Sequence, residues 1–329
     1  MSKLHKALQP KIGHPDITQT PTRSGFGTAL ALVGGQNEKV VALTADLKDS
    51  TKVTAFAESY PERFFEMGVA EQNMMGVAAG LALSGLVPFV TSYATFSPGR
   101  NWDQLRVSVC YSKANVKVVG CHTGLSVGPD GATHQALEDI ALVRVLPHMT
   151  VVVPCDAIQA GQATQALATL VGPAYLRLTR EATPLMVTDA MPFAIGKAQV
   201  FRTGTDVVII GAGPVLYGAL FAAAVLAREG IEAMVVNSHT IKPLDTATIL
   251  QAATQCGAVV TVEEHQVAGG LGSAVCEFLA SAYPVPVERV GMQDSFGESG
   301  NPEQLLQKYE MDGPAIVAAV KKVLKRKGK

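Results

Sequence analysis

No two cysteines in this 329-residue chain are spaced as C-x-x-C; the five present (Cys110, Cys121, Cys155, Cys256, Cys276) lie far apart. The scatter argues against a zinc site or a disulfide framework and fits a reducing, cytoplasmic setting. Net charge is almost absent, since 27 Lys and Arg against 28 Asp and Glu leave −1, so no nucleic-acid partner is implied. The one basic run, Lys321 to Lys329, suits a helix end, where cations meet the negative pole of the helix dipole. No apolar run approaches the roughly 20 residues that span a bilayer. The first 23 residues lack the apolar stretch of a signal peptide, so no membrane role is expected. Apolar surface, by contrast, is plentiful. A hydrophobic fraction of 48% and a mean hydropathy of +0.23 point to subunit interfaces that bury part of it.

Short β-branched runs alternate with alanine-rich helical stretches. Strands are expected at 39–44, 87–93, 116–120, 150–154 and 174–178, with helices near 24–34, 70–84, 99–112, 136–145 and 156–170. The runs are apolar on both faces, as in a parallel sheet covered by helices on each side. Residues 179–206 break the rhythm. It resumes with strands at 206–214, 232–238, 258–264 and 285–291, separated by helices and closed by one from Pro314. The expectation is an α/β fold of two three-layer domains with mostly parallel sheets. An N-terminal arm covers 1–17, a first domain 18–190 and a second 191–329. The segment GAGP at 211–214 lacks the third glycine of a dinucleotide fingerprint, and no acidic residue closes the next strand, so tight strand-to-helix packing is the better reading.

Two stretches carry chemistry. Glu71 opens a helix (Glu71-Gln-Asn-Met-Met-Gly-Val) with almost no polar face. A helix start welcomes negative charge, but a carboxyl in apolar surroundings also keeps its proton more readily than one in water. The second stretch, 120–139, follows a strand and sets His122, Asp130 and His134 among four glycines. Such groups can bond sugar hydroxyls or a phosphate and can move protons. Asp130 and His134 have helix-like spacing, yet Gly131 between them spoils a helical metal site. His148, His239 and His265 are expected to be structural.

The ordered motifs GVAEQNM, TSYATF and HTGLSVGPDGATHQ resemble the thiamine diphosphate enzymes of the transketolase group over about residues 18–310. The resemblance covers the pyrimidine-binding and C-terminal domains of a full transketolase. Nothing here looks like the G-D-G…N signature of the diphosphate-binding domain, so the chain is similar to the C-terminal subunit of a split transketolase. The resemblance implies that Glu71 bonds the ring nitrogen of the cofactor's aminopyrimidine and so activates its thiazolium ring. By the same resemblance, Tyr93 and Phe96 match the aromatic cage on the pyrimidine, and Leu47 presses on it. His122 and His134 serve catalysis and contact the substrate with Asp130. Arg23, Ser50, His122 and Arg180 grip the far phosphate of a sugar phosphate, and Asp46 orients a hydroxyl. Arg100 stands near enough to face the substrate. The C-terminal motifs KPLD, EEH, GGLGSAV and FGESG serve packing and dimerisation.

The activity implied is transfer of a two-carbon ketol unit between ketose and aldose phosphates. It calls for thiamine diphosphate and Mg²⁺ or Ca²⁺, held mainly by an N-terminal partner chain, around a homodimer of this chain in an α2β2 assembly. A deoxyxylulose phosphate synthase-like subunit, a 2-oxo acid dehydrogenase beta chain and a non-catalytic regulatory subunit remain alternatives. As residues alone, Arg23 and Arg180 read equally well as surface ion pairs.

Overall fold

The computed structural model describes residues 3–328. Lys329 and the first two residues of the arm lie outside them. In chain order the strands are β1 (Gln19–Pro21), β2 (Val40–Thr44), β3 (Phe64–Glu66), β4 (Val87–Tyr93), β5 (Lys117–Cys121), β6 (Thr150–Val152), β7 (Ala174–Arg177), β8 (Ala182–Pro184), β9 (Gln199–Arg202), β10 (Val207–Gly211), β11 (Ala233–Asn237), β12 (Thr240–Lys242), β13 (Val259–Gln266) and β14 (Val287–Met292). They build two α/β domains with mostly parallel sheets. Among the described residues, one sheet runs β12-β6-β7-β5-β4-β2-β3, a second β14-β13-β10-β11-β9, and β1 and β8 form a separate antiparallel pair. Every residue of β2, β5, β7, β10 and β11 is buried, which is what the two-sided apolar runs require.

Short edge strands depart from expectation. β3, β9 and β12 carry no long apolar run, yet they complete the sheets. β12 comes from the second half of the chain and pairs antiparallel with β6 of the first. The N-terminal arm also ties the two halves together. His5 donates its N–H to the Phe201 carbonyl and Gln9 to that of Met186, while Ala7 and Leu8 pack with Met186, Val187 and Phe201.

Two helices differ from the pattern. The stretch read as a helix over 99–112 is a single helical turn, Trp102–Gln104, running into a π-type segment, Leu105–Tyr111. The helix expected from 136 starts only at Asp139. Ala136 and Leu137 are held outside it, because the Ala136 carbonyl accepts from Gly124 and that of Leu137 from Gln266. His265 and His239 are buried, His239 stacked on Phe193 at 4.3 Å. His148 is not: it is exposed in a turn at φ +66°.

Candidate active site

Four elements of the larger sheet aim their carboxyl ends at one edge. Tyr93 closes β4, His122 follows β5, Asp46 follows β2 and Arg180 follows β7. That edge is where open α/β sheets bind ligands.

The rings gather first. Tyr93 stacks on His122 with centroids 3.8 Å apart and planes at 28°. Phe96 lies 5.7 Å from Tyr93. His134 meets both edge-on, at 5.9 Å from Tyr93 and 5.5 Å from Phe96. His122 holds φ at +56°, a left-handed conformation uncommon for a residue with a side chain. Burial lowers its pKa to about 3, helped by the positive charge of Arg23 and Arg180 and by His134. The ring is therefore neutral at pH 7. Among the described residues its buried Nδ1 finds no hydrogen-bond partner, and neither does the buried Nε of Arg23. Unpaired buried polar atoms are costly unless something bonds them, and these two belong to the same polar cluster.

This burial gives a test. The His122 ring signals are expected to stay fixed as pH falls from about 7 to 5 in an NMR titration. A midpoint near the free-histidine value of roughly 6.5 would show that the ring is not packed as described. Because the folded pKa lies below the unfolded one, His122 contributes stability above about pH 6.5 that is lost progressively as pH falls toward its folded value.

Glu71 is 4% exposed in the first turn of the helix Glu71–Leu83. The purely apolar pocket expected around it is not what the structure forms. The loop after β4 folds back, and Arg100 Nη1 reaches Glu71 Oε1 at 3.0 Å. The same guanidinium lies 4.0 Å over the Phe96 ring. Asn101, itself buried, donates to the Glu71 carbonyl at 3.1 Å and to Ser97 Oγ at 3.1 Å, so the backbone at the carboxylate is fixed. Arg100 thus turns to Glu71 rather than standing free. A flat cation fills the slot between an aromatic face and a carboxylate.

The remaining predicted residues divide into two groups. Arg23 Nη1 donates to the Ser50 carbonyl at 2.7 Å. Arg180 donates to the Val127 carbonyl at 3.0 Å and stands 3.8 Å from Asp130. These residues lie around His122. Asp46, Leu47 and Ser50 instead line a neighbouring cleft of about 430 Å³ with Phe64 and Glu66. There Asp46, at φ +59°, donates its N–H to Glu66 at 2.7 Å. Ser50 therefore touches both groups, through its carbonyl and through the cleft, whereas Asp46 and Leu47 belong to the cleft. Among the described residues no three His, Cys, Asp or Glu side chains converge as a metal cage.

Family models place a transketolase pyrimidine-binding domain over residues 18–186 and a transketolase C-terminal domain over 196–316. The chain belongs to the transketolase family. It is 42% identical to a 6-deoxy-6-sulfo-D-fructose transketolase subunit of a Clostridium species over 89% of this chain and 91% of that one. An apulose-4-phosphate transketolase subunit of Phocaeicola vulgatus is 38% identical over 92% and 97%. Among solved structures, a split-gene transketolase described as an inactive beta4 tetramer superposes with a TM-score of 0.88 and 47% identity, covering 93% of this chain and 99% of that one.

Two features of this transketolase-family site escape the sequence. The Arg100–Glu71 contact joins residues 29 positions apart, and its only signal is that Arg100 closely follows the aromatic pair. The other is the support under the histidine loop. Arg177, 4% exposed, pairs with Asp139 at 2.8 Å and donates to the carbonyls of Ala136 at 3.1 Å and Glu264 at 3.0 Å. No motif marks either residue, because each is a buried charge recognised only by its partner.

Proposed function

We propose that this chain is the pyrimidine-binding subunit of a two-chain transketolase that moves a two-carbon ketol unit between sugar phosphates. The observation that carries the reading is the slot holding Arg100. An aromatic face on one side and the Glu71 carboxylate on the other suit a planar heterocycle with a protonatable ring nitrogen. Thiamine diphosphate, when bound, supplies the nucleophilic carbon that takes up and passes on the ketol unit. Glu71 would bond its ring nitrogen and Phe96 and Tyr93 would flank the ring, with Leu47 approaching it from the neighbouring cleft.

His122, neutral through burial, would bond substrate hydroxyls with His134 and Asp130, and its Nδ1, unpaired among the described residues, gives the ring an open hydrogen-bonding position. Arg23 and Arg180 grip the distal phosphate, for which planar, permanently charged guanidinium groups are suited. His134 would move a proton at the substrate oxygens, while His122, kept neutral by burial, would serve there as a hydrogen-bonding partner. The diphosphate and its divalent cation, Mg²⁺ or Ca²⁺, are assigned to a partner chain. The relatives named as subunits, which this chain matches over nearly their whole length, support that division.

The test is turnover of a ketose phosphate with an aldose phosphate by this chain alone and mixed with a chain carrying the diphosphate-binding domain. Turnover is expected only in the mixture, with thiamine diphosphate and a divalent cation present, and the active species should sediment as α2β2. Full activity of the chain alone, or none in the mixture, would refute the assignment.

A further inference from the structure

The loop that carries His122, Asp130 and His134 is held from the other domain. Glu264 sits on β13 in the second domain's sheet, is 6% exposed, and accepts the Ser126 N–H through Oε1. Gly124, at φ +81°, leaves space that the Glu264 carboxylate fills, so any Cβ there would collide with it. Burial raises the pKa of Glu264, while the N–H groups of Ser126 and Leu125 and the charge of Arg177 act the other way. The FGESG segment adds a second hold. Gln135 Nε2 bridges the carbonyls of Leu125 at 3.1 Å and Glu298 at 2.9 Å, and Gly300 donates to the Gly128 carbonyl at 3.4 Å. The Gln135–Glu298 contact alone joins residues 163 positions apart.

We propose that Glu264 is a positioning residue: it holds the Gly124–His134 loop in the shape that binds sugar phosphates, so the second domain sets the affinity of a site whose binding side chains lie in the first. This rests on the reading of that loop as substrate-binding given above. It gives EEH and FGESG a role beyond packing. Glu264 touches no substrate, since its carboxylate faces the loop's backbone.

Glu264→Gln keeps the shape and one acceptor oxygen but removes the charge that strengthens the bond to Ser126. In the isolated chain, amides of residues 124–131 are expected to exchange hydrogen about tenfold faster or more, in line with the loss of a charge-assisted bond. Amides of β10 and β11 should be unchanged. In the reconstituted two-chain enzyme, KM for the sugar phosphates should rise about tenfold. Affinity for thiamine diphosphate and kcat should stay within about twofold. Glu264→Asp, which draws the carboxylate back from the Ser126 N–H, should give the same signature and serves if the first variant does not fold. Unchanged exchange overturns the claim that Glu264 holds the loop. Faster exchange with unchanged KM overturns its role in substrate affinity. If the wild-type mixture turns over no sugar phosphate, the functional reading fails, and exchange alone still decides whether Glu264 fixes the loop.

Discussion

Glu71→Gln is expected to lower ketol transfer by about 10²- to 10⁴-fold, the usual worth of a positioned acid–base group, while the fold survives. Glutamine keeps the volume and a hydrogen-bonding oxygen but cannot carry a proton between its two states. The backbone at this position is held independently of the side chain's charge, because Asn101 donates to the Glu71 carbonyl. The variant should therefore show native circular dichroism and assemble with its partner, yet turn over little sugar phosphate in the coupled assay. Loss of the charge also frees Arg100, whose guanidinium loses its carboxylate and keeps the Phe96 face. Near-normal turnover would remove Glu71 from the chemistry and with it the central premise of the functional reading.

The largest effect on stability is expected at Arg177. Its Nε and Nη2 grip the two Asp139 oxygens at 2.8 and 3.1 Å, and Tyr175 donates to the same carboxylate at 2.7 Å. Asp139 is 1% exposed. Burial alone would raise its pKa, but the charge and hydrogen bonds of Arg177, with Tyr175, hold it below the ordinary carboxylate value. Arg177→Met strands that carboxylate and also leaves the Ala136 and Glu264 carbonyls without this donor. Removing one partner of a buried pair costs about 3–5 kcal/mol, so the urea midpoint should fall sharply. Adding Asp139→Asn should restore part of the loss, because the stranded charge goes with it. The sign with pH follows from the depressed folded pKa: Asp139 contributes stability above about pH 4 that is lost as pH falls through its folded value. An unaltered midpoint in Arg177→Met would show that the pair is not buried as described.

Legibility in the sequence depends on distance along the chain. The central strands are plain, because β2, β4, β5, β7, β10, β11 and β13 are apolar runs that no other element explains. The three-residue edge strands are not, since Phe64–Glu66 and Thr240–Lys242 owe their conformation to neighbours already in place. The delayed start of the helix at Asp139 has the same origin, as Gly124 and Gln266 bond the carbonyls of Ala136 and Leu137. In the site, Glu71 and the histidine loop stand out by local contradiction: a carboxylate in a greasy helix, and three polar groups among glycines. Their surroundings do not. The apolar pocket inferred for Glu71 comes from its own helix, whereas Arg100 arrives from a different loop. Glu264 reads as a packing residue because its contact with Ser126 spans 138 residues.

The crossover of β12 has a practical outcome for anyone dissecting the molecule. The two family models part between residues 186 and 196, an inviting place to cut. A fragment ending there would lose the strand that flanks Thr150–Val152 and present a raw sheet margin to solvent, ready to pair with its own copies. Its companion would forfeit the leading segment that lies against Phe201. The seam between the family models is thus not a mechanical joint, and the halves should be handled as a single piece.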